Sequence, residues 1–192
     1  MDEFCLPDVE PKPYTLTFVG NFLHPPNDVA LRFFFDSVWD DVLRDAPQTK
    51  IYIVGAYPSK WIRALSKQRN VFVTGKVPDI RPYIQKACVC IAPLISGAGL
   101  RGKVLQYASL RRTFVATPIA VTDLFLVDGS DYLQATNAKE FSENLVELLK
   151  NGERARQMGL TAFETVMRHY DNHRLVDYLT RIYDRLDEKI HA

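Results

Sequence analysis

The chain has 192 residues, of which 47% are hydrophobic and 24% charged, and its formal net charge is +1. This composition is typical of an ordinary globular domain, and the near-neutral charge argues against a nucleic-acid or anionic-membrane surface as the main partner. No apolar run approaches the roughly 20 residues that are needed to cross a bilayer, and the acidic N-terminus does not resemble a secretory signal. The three cysteines are an odd number and favour core thiols in a reducing compartment, so we expect a cytoplasmic protein.

Predicted strands and helices alternate along most of the chain. Residues 1–14 contain three prolines without an apolar period and are predicted to be a linker or tail. The strands are predicted at 15–19, 51–54, 71–74, 87–92, 113–117 and 132–135. The helices are predicted at 29–46 (capped by Asn27 or Asp28), at 60–65, at 79–86, from the glycine-rich turn after residue 92 to about 110, at 138–150, at 153–168 and at 173–189.

This alternation predicts an α/β fold in which a doubly wound, parallel, Rossmann-like sheet is covered by helices on both faces. Residues 15–170 form the predicted domain, and 171–192 are expected to be a C-terminal helix of the same domain. The loops after the strands of such a sheet share one edge, where ligands bind. Glycine follows or closes four of the predicted strands, as expected if backbone approaches a ligand there.

The stretch 87–106 is a strand, a glycine-rich turn and the start of a helix, a geometry that directs backbone N–H groups at an anion. Gly97, Gly99 and Gly102 fit the dinucleotide fingerprint, and Gly97 with Gly102 and Lys103 also fits the phosphate loop of ATPases. Val104 stands where the ATPase motif needs Ser or Thr. The next strand lacks the acidic residue that a dinucleotide needs. A turn that only allows close packing of helix and sheet is a further alternative. Our hypothesis is that the turn holds the diphosphate of a nucleotide-linked substrate.

Short runs spread along the chain also resemble one known family in their order and spacing. They extend from Thr15 to about Tyr170. The resemblance is to the C-terminal, nucleotide-sugar-binding domain of the retaining, family-four (group 1) glycosyltransferases of GT-B type, which have two facing Rossmann-like domains. The runs are 18–21, 25–30, 53–55, 73–81, 91–94, 97–99, 103–105, 115–119 and 127–129.

The resemblance implies a role for each matching position. The turn and helix N-terminus would hold the diphosphate, with Lys103 and Arg101 neutralising it as it leaves. Two acidic positions of the family fall on Ala98 and Gln106; Gln106 can still hydrogen-bond a ribose hydroxyl, whereas Ala98 cannot contact the sugar. The implied nucleotide-sugar-binding residues are Gly20 and Asn21 near the phosphates, Gly55, Lys76 and Val77 around the base, and Ser96, Gly97, Ala98, Gly99, Leu100, Lys103 and Gln106.

The function that the resemblance implies is that of the donor-binding half of a retaining glycosyltransferase. It would transfer a hexose from a UDP-, GDP- or ADP-sugar to a glycan or lipid-linked acceptor in polysaccharide biosynthesis, without a cofactor or a metal. The acceptor domain is absent from this chain and would belong to an N-terminal part of a longer protein or to a separate partner chain. The alternative is a catalytically degenerate module that regulates or scaffolds a partner, which the neutral residues Ala98 and Gln106 favour.

Overall fold

A six-stranded, fully parallel sheet forms the centre of the protein. The computed structural model describes residues 9–97 and 102–170. Along the sheet the strands follow the order β3-β2-β1-β4-β5-β6, which is that of dinucleotide-binding folds. The expectation of a doubly wound parallel sheet is therefore confirmed. The strands are β1 (Thr15–Val19), β2 (Lys50–Val54), β3 (Val71–Gly75), β4 (Val89–Ala92), β5 (Phe114–Ala116) and β6 (Leu133–Gln134).

Helices connect the strands and cover the sheet. Every residue of β1 is buried, as is every residue of β4, because side chains that alternate between the two faces meet packed helices on both. The described helices are α1 (Pro25–Ser37), α2 (Trp39–Asp45), α3 (Lys60–Leu65), α4 (Arg81–Lys86), α5 (Gly102–Ser109), α6 (Pro118–Val121), α7 (Ala138–Lys150) and α8 (Gly152–His169).

The predicted helix over 29–46 is wrong in two respects. It begins earlier, at Pro25, because proline at the first helical positions loses no hydrogen bond. It is also interrupted at Val38, whose φ of −124° and ψ of −41° separate α1 from α2. The backbone N–H of Val38 still donates to the carbonyl of Phe34, and both side chains are buried. The apolar spacing therefore continues across a break that the sequence pattern does not reveal.

Other predicted elements are found within one or two residues of their expected positions. Asn137 caps α7, with its Oδ1 accepting from the backbone N–H of Glu140 at 2.9 Å. Cys88 and Cys90 are buried free thiols, as expected. The four-residue helix α6 was not predicted. The predicted helix at 173–189 and the expected linker up to residue 8 lie outside the described residues. Within the described ranges, no helix is long and apolar enough to cross a membrane.

The junction between β1 and β4 is the place where the sheet reverses its order of construction. The two strands pair through Leu16 with Val89 and Thr17 with Cys90, and the ladder ends there. The connections that leave their carboxyl ends run in opposite directions along the sheet. A crevice opens at such a point, and it is where open α/β sheets bind their ligands.

Candidate nucleotide-sugar site

Glycines allow backbone segments to meet closely at the carboxyl edge of the sheet. Gly55, after β2, has a φ of +154°, and a Cβ there would lie 1.7 Å from the carbonyl oxygen of Gly20, after β1. Gly97, in the turn after β4, has a φ of +110°, and its Cβ would lie 3.0 Å from the ring of Pro26. The glycine-rich turn therefore packs directly on the first turn of α1, and the loops after β1 and β4 face each other across the crevice.

Lys103, in the first turn of α5, extends its ammonium group into this crevice. Its Nζ donates to Oδ1 of Asn27 at 2.7 Å and lies 4.1 Å from the centroid of the Phe18 ring. An amide oxygen and an aromatic face both attract a cation, but neither carries a net negative charge. Within the residues that the structure describes, no carboxylate forms an ion pair with Lys103.

The environment of Lys103 changes its acidity. Burial lowers the pKa of Lys103 to about 7, because the charged form loses solvation that its two neutral contacts do not replace. The nearest acidic residue in sequence to its partner, Asp28, is engaged elsewhere. The carboxylate of Asp28 accepts from the Ser59 hydroxyl at 2.8 Å and from the Trp61 indole at 2.7 Å. A desolvated, incompletely neutralised cation at a ligand-binding edge is suited to bind an anion.

Tyr107 lies four residues beyond Lys103 and therefore on the same face of α5. Its buried hydroxyl accepts from the backbone N–H of Val19 at 3.0 Å and donates to the carbonyl of Ile91 at 3.3 Å. These two backbone groups lie at the ends of β1 and β4, beyond the last ladder pair of the two strands. The hydroxyl satisfies them while holding the strand ends apart, and so helps to form the crevice.

A second cavity lies against α5, one turn from Lys103. Its volume is about 290 Å³, close to the lower end of the range of about 300–1,000 Å³ for ligand pockets. One wall is the carboxylate of Asp79, which accepts from the Nε of Arg81 at 2.9 Å, and these hydrogen bonds hold the pKa of Asp79 below its usual value. The lining residues are Pro78, Asp79, Ile80, Arg81, Ile84, Gln106 and Leu110.

The family known as glycosyl transferases group 1 matches residues 13–151, which is well over half of the chain. The chain belongs to this family. The resemblance that the sequence motifs indicated is thereby confirmed at the level of the group 1 glycosyl transferases, and the sheet matches the C-terminal domain of GT-B glycosyltransferases.

Solved and curated relatives of this group 1 glycosyl transferase are distant in sequence. TarM, solved from S. aureus with UDP among its ligands, is 17% identical with a TM-score of 0.75 over 92% of this chain and 36% of its own. Anabaena HepE, solved with UDP-glucose, is 12% identical with a TM-score of 0.67 over 88% of this chain and 49% of its own. A 44.6 kDa protein from the cps region of Klebsiella pneumoniae is 22% identical over 81% of this chain and 42% of its own. The chain thus spans less than half the length of these relatives.

The positions predicted for nucleotide-sugar binding fall into separate groups in the structure of this glycosyl transferase. Gly20, Asn21, Gly97 and Lys103 meet at the crevice, where Asn21 is linked to Lys103 through Asn27. Gly55 contacts Gly20 from the neighbouring loop. Three more positions are on the same edge, with Lys76 and Ser96 exposed and Val77 half-buried. Gln106 lines the second cavity. Ala98, Gly99, Leu100 and Arg101 lie outside the described residues.

Three site residues were missed when the sequence was considered alone. Asn27 was treated only as a helix cap, and nothing local indicates its contact with a lysine 76 positions away. Phe18 looks like any core residue of a buried strand. Tyr107 was more accessible to prediction, since a position four residues after a site lysine on a helix must share its face.

Proposed function

We propose that this domain binds the diphosphate of a nucleotide-sugar in the crevice between β1 and β4. It would act as the donor half of a retaining glycosyltransferase that transfers a hexose to a glycan or lipid-linked acceptor. The single observation that carries the proposal is the ammonium group of Lys103, which is held at the crevice by a neutral amide oxygen and an aromatic ring. A diphosphate would supply the negative charge that these two contacts lack.

The chemistry assigned to this half is stabilisation of the leaving group. When the bond between the sugar carbon C1 and the diphosphate oxygen breaks, the diphosphate takes the electron pair and its negative charge increases. A cation fixed beside that oxygen in a poorly solvated crevice lowers the energy of the charge that develops. We assign this role to Lys103, and by resemblance to Arg101, with backbone N–H groups of the turn as further donors.

The second cavity supports a place for the nucleoside. Gln106 follows Lys103 by three residues, which is a rise of about 4.5 Å along a helix. A ribose attached to a diphosphate at Lys103 would therefore reach the amide of Gln106. The base would then lie toward Gly55, Lys76 and Val77, on the loops after β2 and β3. A neutral amide forms a weaker hydrogen bond to a ribose hydroxyl than a carboxylate does.

The comparisons favour a uridine nucleotide as the first donor to test. HepE is solved with UDP-glucose and TarM with UDP, and both share this fold. Because the chain spans less than half of either protein, we propose that the acceptor is bound by another part of a longer protein or by a partner chain. Transfer needs both halves, since a reaction is slow when nothing orients the second reactant.

A degenerate module that scaffolds or regulates a partner is the second candidate. Ala98 and Gln106 occupy the positions at which the resemblance would place a pair of carboxylates. A domain that had lost the chemistry would have no need to keep a lysine desolvated at the crevice, so the two candidates differ in nucleotide binding.

Calorimetric titration of the chain with UDP, GDP and ADP tests the proposal. We expect at least one of the three to bind with micromolar affinity and Lys103→Ala to abolish measurable binding. Lys139→Ala is the matched control, because Lys139 is an exposed lysine on α7 that contacts only Glu143, and it should bind like the unmodified protein. If none of the three nucleotides binds, the donor-half proposal is wrong and the scaffold is favoured.

A further inference from the structure

Asn27 connects the two sides of the crevice through its side-chain amide. Its Nδ2 donates to the backbone carbonyl of Asn21 at 2.8 Å, and its Oδ1 accepts from Nζ of Lys103 at 2.7 Å. The amide is thus fixed at both ends, and its orientation is set because the N–H group can only face a carbonyl and the oxygen can only face the ammonium. The loop after β1 and the first turn of α5 are joined by this one group.

The backbone around Asn27 leaves just enough room for it. A Cβ on Gly20 would lie 2.9 Å from Cγ of Asn27 and 3.0 Å from the Phe18 ring. The absence of a side chain at position 20 therefore lets the amide and the aromatic ring both reach the lysine. A built pocket for an ammonium group results, with an amide oxygen on one side and a ring face on another.

We propose that Asn27 is a positioning residue of the diphosphate site, which holds the Lys103 ammonium at the crevice through a neutral hydrogen bond and so leaves its charge available to a bound diphosphate. This inference rests on the proposed function. Asn27 itself contacts no reacting atom in this account; it acts through Lys103.

The neutrality of the amide is the important property. A carboxylate at this position would form an ion pair with Lys103, and a diphosphate would have to compete with it. An apolar side chain of the same size would leave the ammonium with the Phe18 ring alone. An amide lies between these cases, since it fixes the geometry at 2.7 Å without cancelling the charge.

The other groups that face this lysine do not duplicate the role of Asn27. From β1 the Phe18 ring is uncharged. On α5 the Tyr107 hydroxyl is occupied by two backbone groups, and burial holds its pKa well above the usual value. On α1 the carboxylate of Asp28 is bound by Ser59, by Trp61 and by Arg32, the last at 3.2 Å.

The experiment measures the titration of Lys103 in the ligand-free protein by NMR of side-chain-labelled lysines, with Lys103→Ala used to assign the signal. Asn27→Asp should raise the Lys103 pKa by about 1–3 units, as an opposite charge within hydrogen-bond distance does. Asn27→Leu, which keeps the volume and removes both hydrogen bonds, should lower it. Asn144→Asp is the matched control, because Asn144 lies on α7 and donates to the carbonyl of Gln134, and it should leave the titration unchanged.

The second measurement is the affinity for inorganic pyrophosphate, which tests the diphosphate site without a nucleoside. Both Asn27 variants should bind it about tenfold or more weakly at pH 7, whereas Asn144→Asp should not differ from the unmodified protein. If the unmodified protein binds UDP but neither folded Asn27 variant changes the titration of Lys103 or the pyrophosphate affinity, the inference is wrong and the proposed function stands. If the unmodified protein binds neither a nucleotide diphosphate nor pyrophosphate, both are wrong.

Discussion

Nucleotide affinity should fall steeply with pH because Lys103 must be protonated to hold a diphosphate. In the free protein burial lowers the pKa of Lys103 to about 7, whereas a bound diphosphate stabilises the ammonium and keeps it charged to much higher pH. Binding above pH 7 therefore takes up a proton, and affinity decreases as protons become scarce. The protonated fraction of Lys103 is about one half at pH 7 and about 1% at pH 9, so the Kd for UDP should rise about 50-fold between them.

The assay is calorimetry at constant ionic strength in two buffers with different ionisation heats, which also counts the protons taken up. The terminal phosphate of UDP does not complicate the window, because a phosphate ester has its second pKa near about 6. Lys103→Arg is the decisive variant, since a guanidinium stays charged throughout and should give a nearly flat profile. The reasoning is refuted if the unmodified protein binds equally at both pH values, or if Lys103→Arg shows the same decline.

Two further predictions concern packing around α5 and α8. Gly159→Ala should lower the free energy of unfolding by about 1–2 kcal/mol in urea denaturation, although alanine favours helix by about 1 kcal/mol, because its Cβ would lie 2.4 Å from the carbonyl oxygen of Arg111. Gly152→Ala, on the same helix with open space around it, should change stability by less than about 0.5 kcal/mol, and an equal loss in both variants would contradict the packing argument. Tyr107→Phe should cost about 1–3 kcal/mol, because it leaves two buried backbone groups without their hydroxyl partner. Tyr132→Phe is its control, since that hydroxyl donates only to a neighbouring side chain at 3.3 Å, and a loss as large as that of Tyr107→Phe would exclude a special role for the strand junction.

The sequence alone was sufficient for the sheet and for the edge that carries the site. Runs rich in Val, Ile and Phe that alternate with helical periods can form only a covered parallel sheet, and the loops after its strands must then share one edge. Gly20, Gly55 and Gly97 were expected there because backbone comes close, and the contact between Gly20 and Gly55 is of this kind. Local patterns report such features because each depends on a few neighbouring residues.

The contacts within the site could not be predicted in the same way. The bond between Asn27 and Lys103 joins residues 76 apart, and an asparagine after two prolines has an equally good local explanation as a cap. The break at Val38 is hidden because the residue remains buried and the apolar spacing continues. Even the lowered pKa of Lys103 depends on burial that only the packed chain creates.

The placement of Lys103 and Tyr107 on one face of α5 has a mechanical consequence. Sliding or rotating this helix to bring the ammonium closer to an anion would also break the two hydrogen bonds that the tyrosine hydroxyl makes with the ends of β1 and β4. The position of the charge is therefore fixed before any ligand arrives, and little reorganisation is left for binding itself to cause. A diphosphate meets a rigid receptor whose shape is maintained by the same strands that hold the domain together.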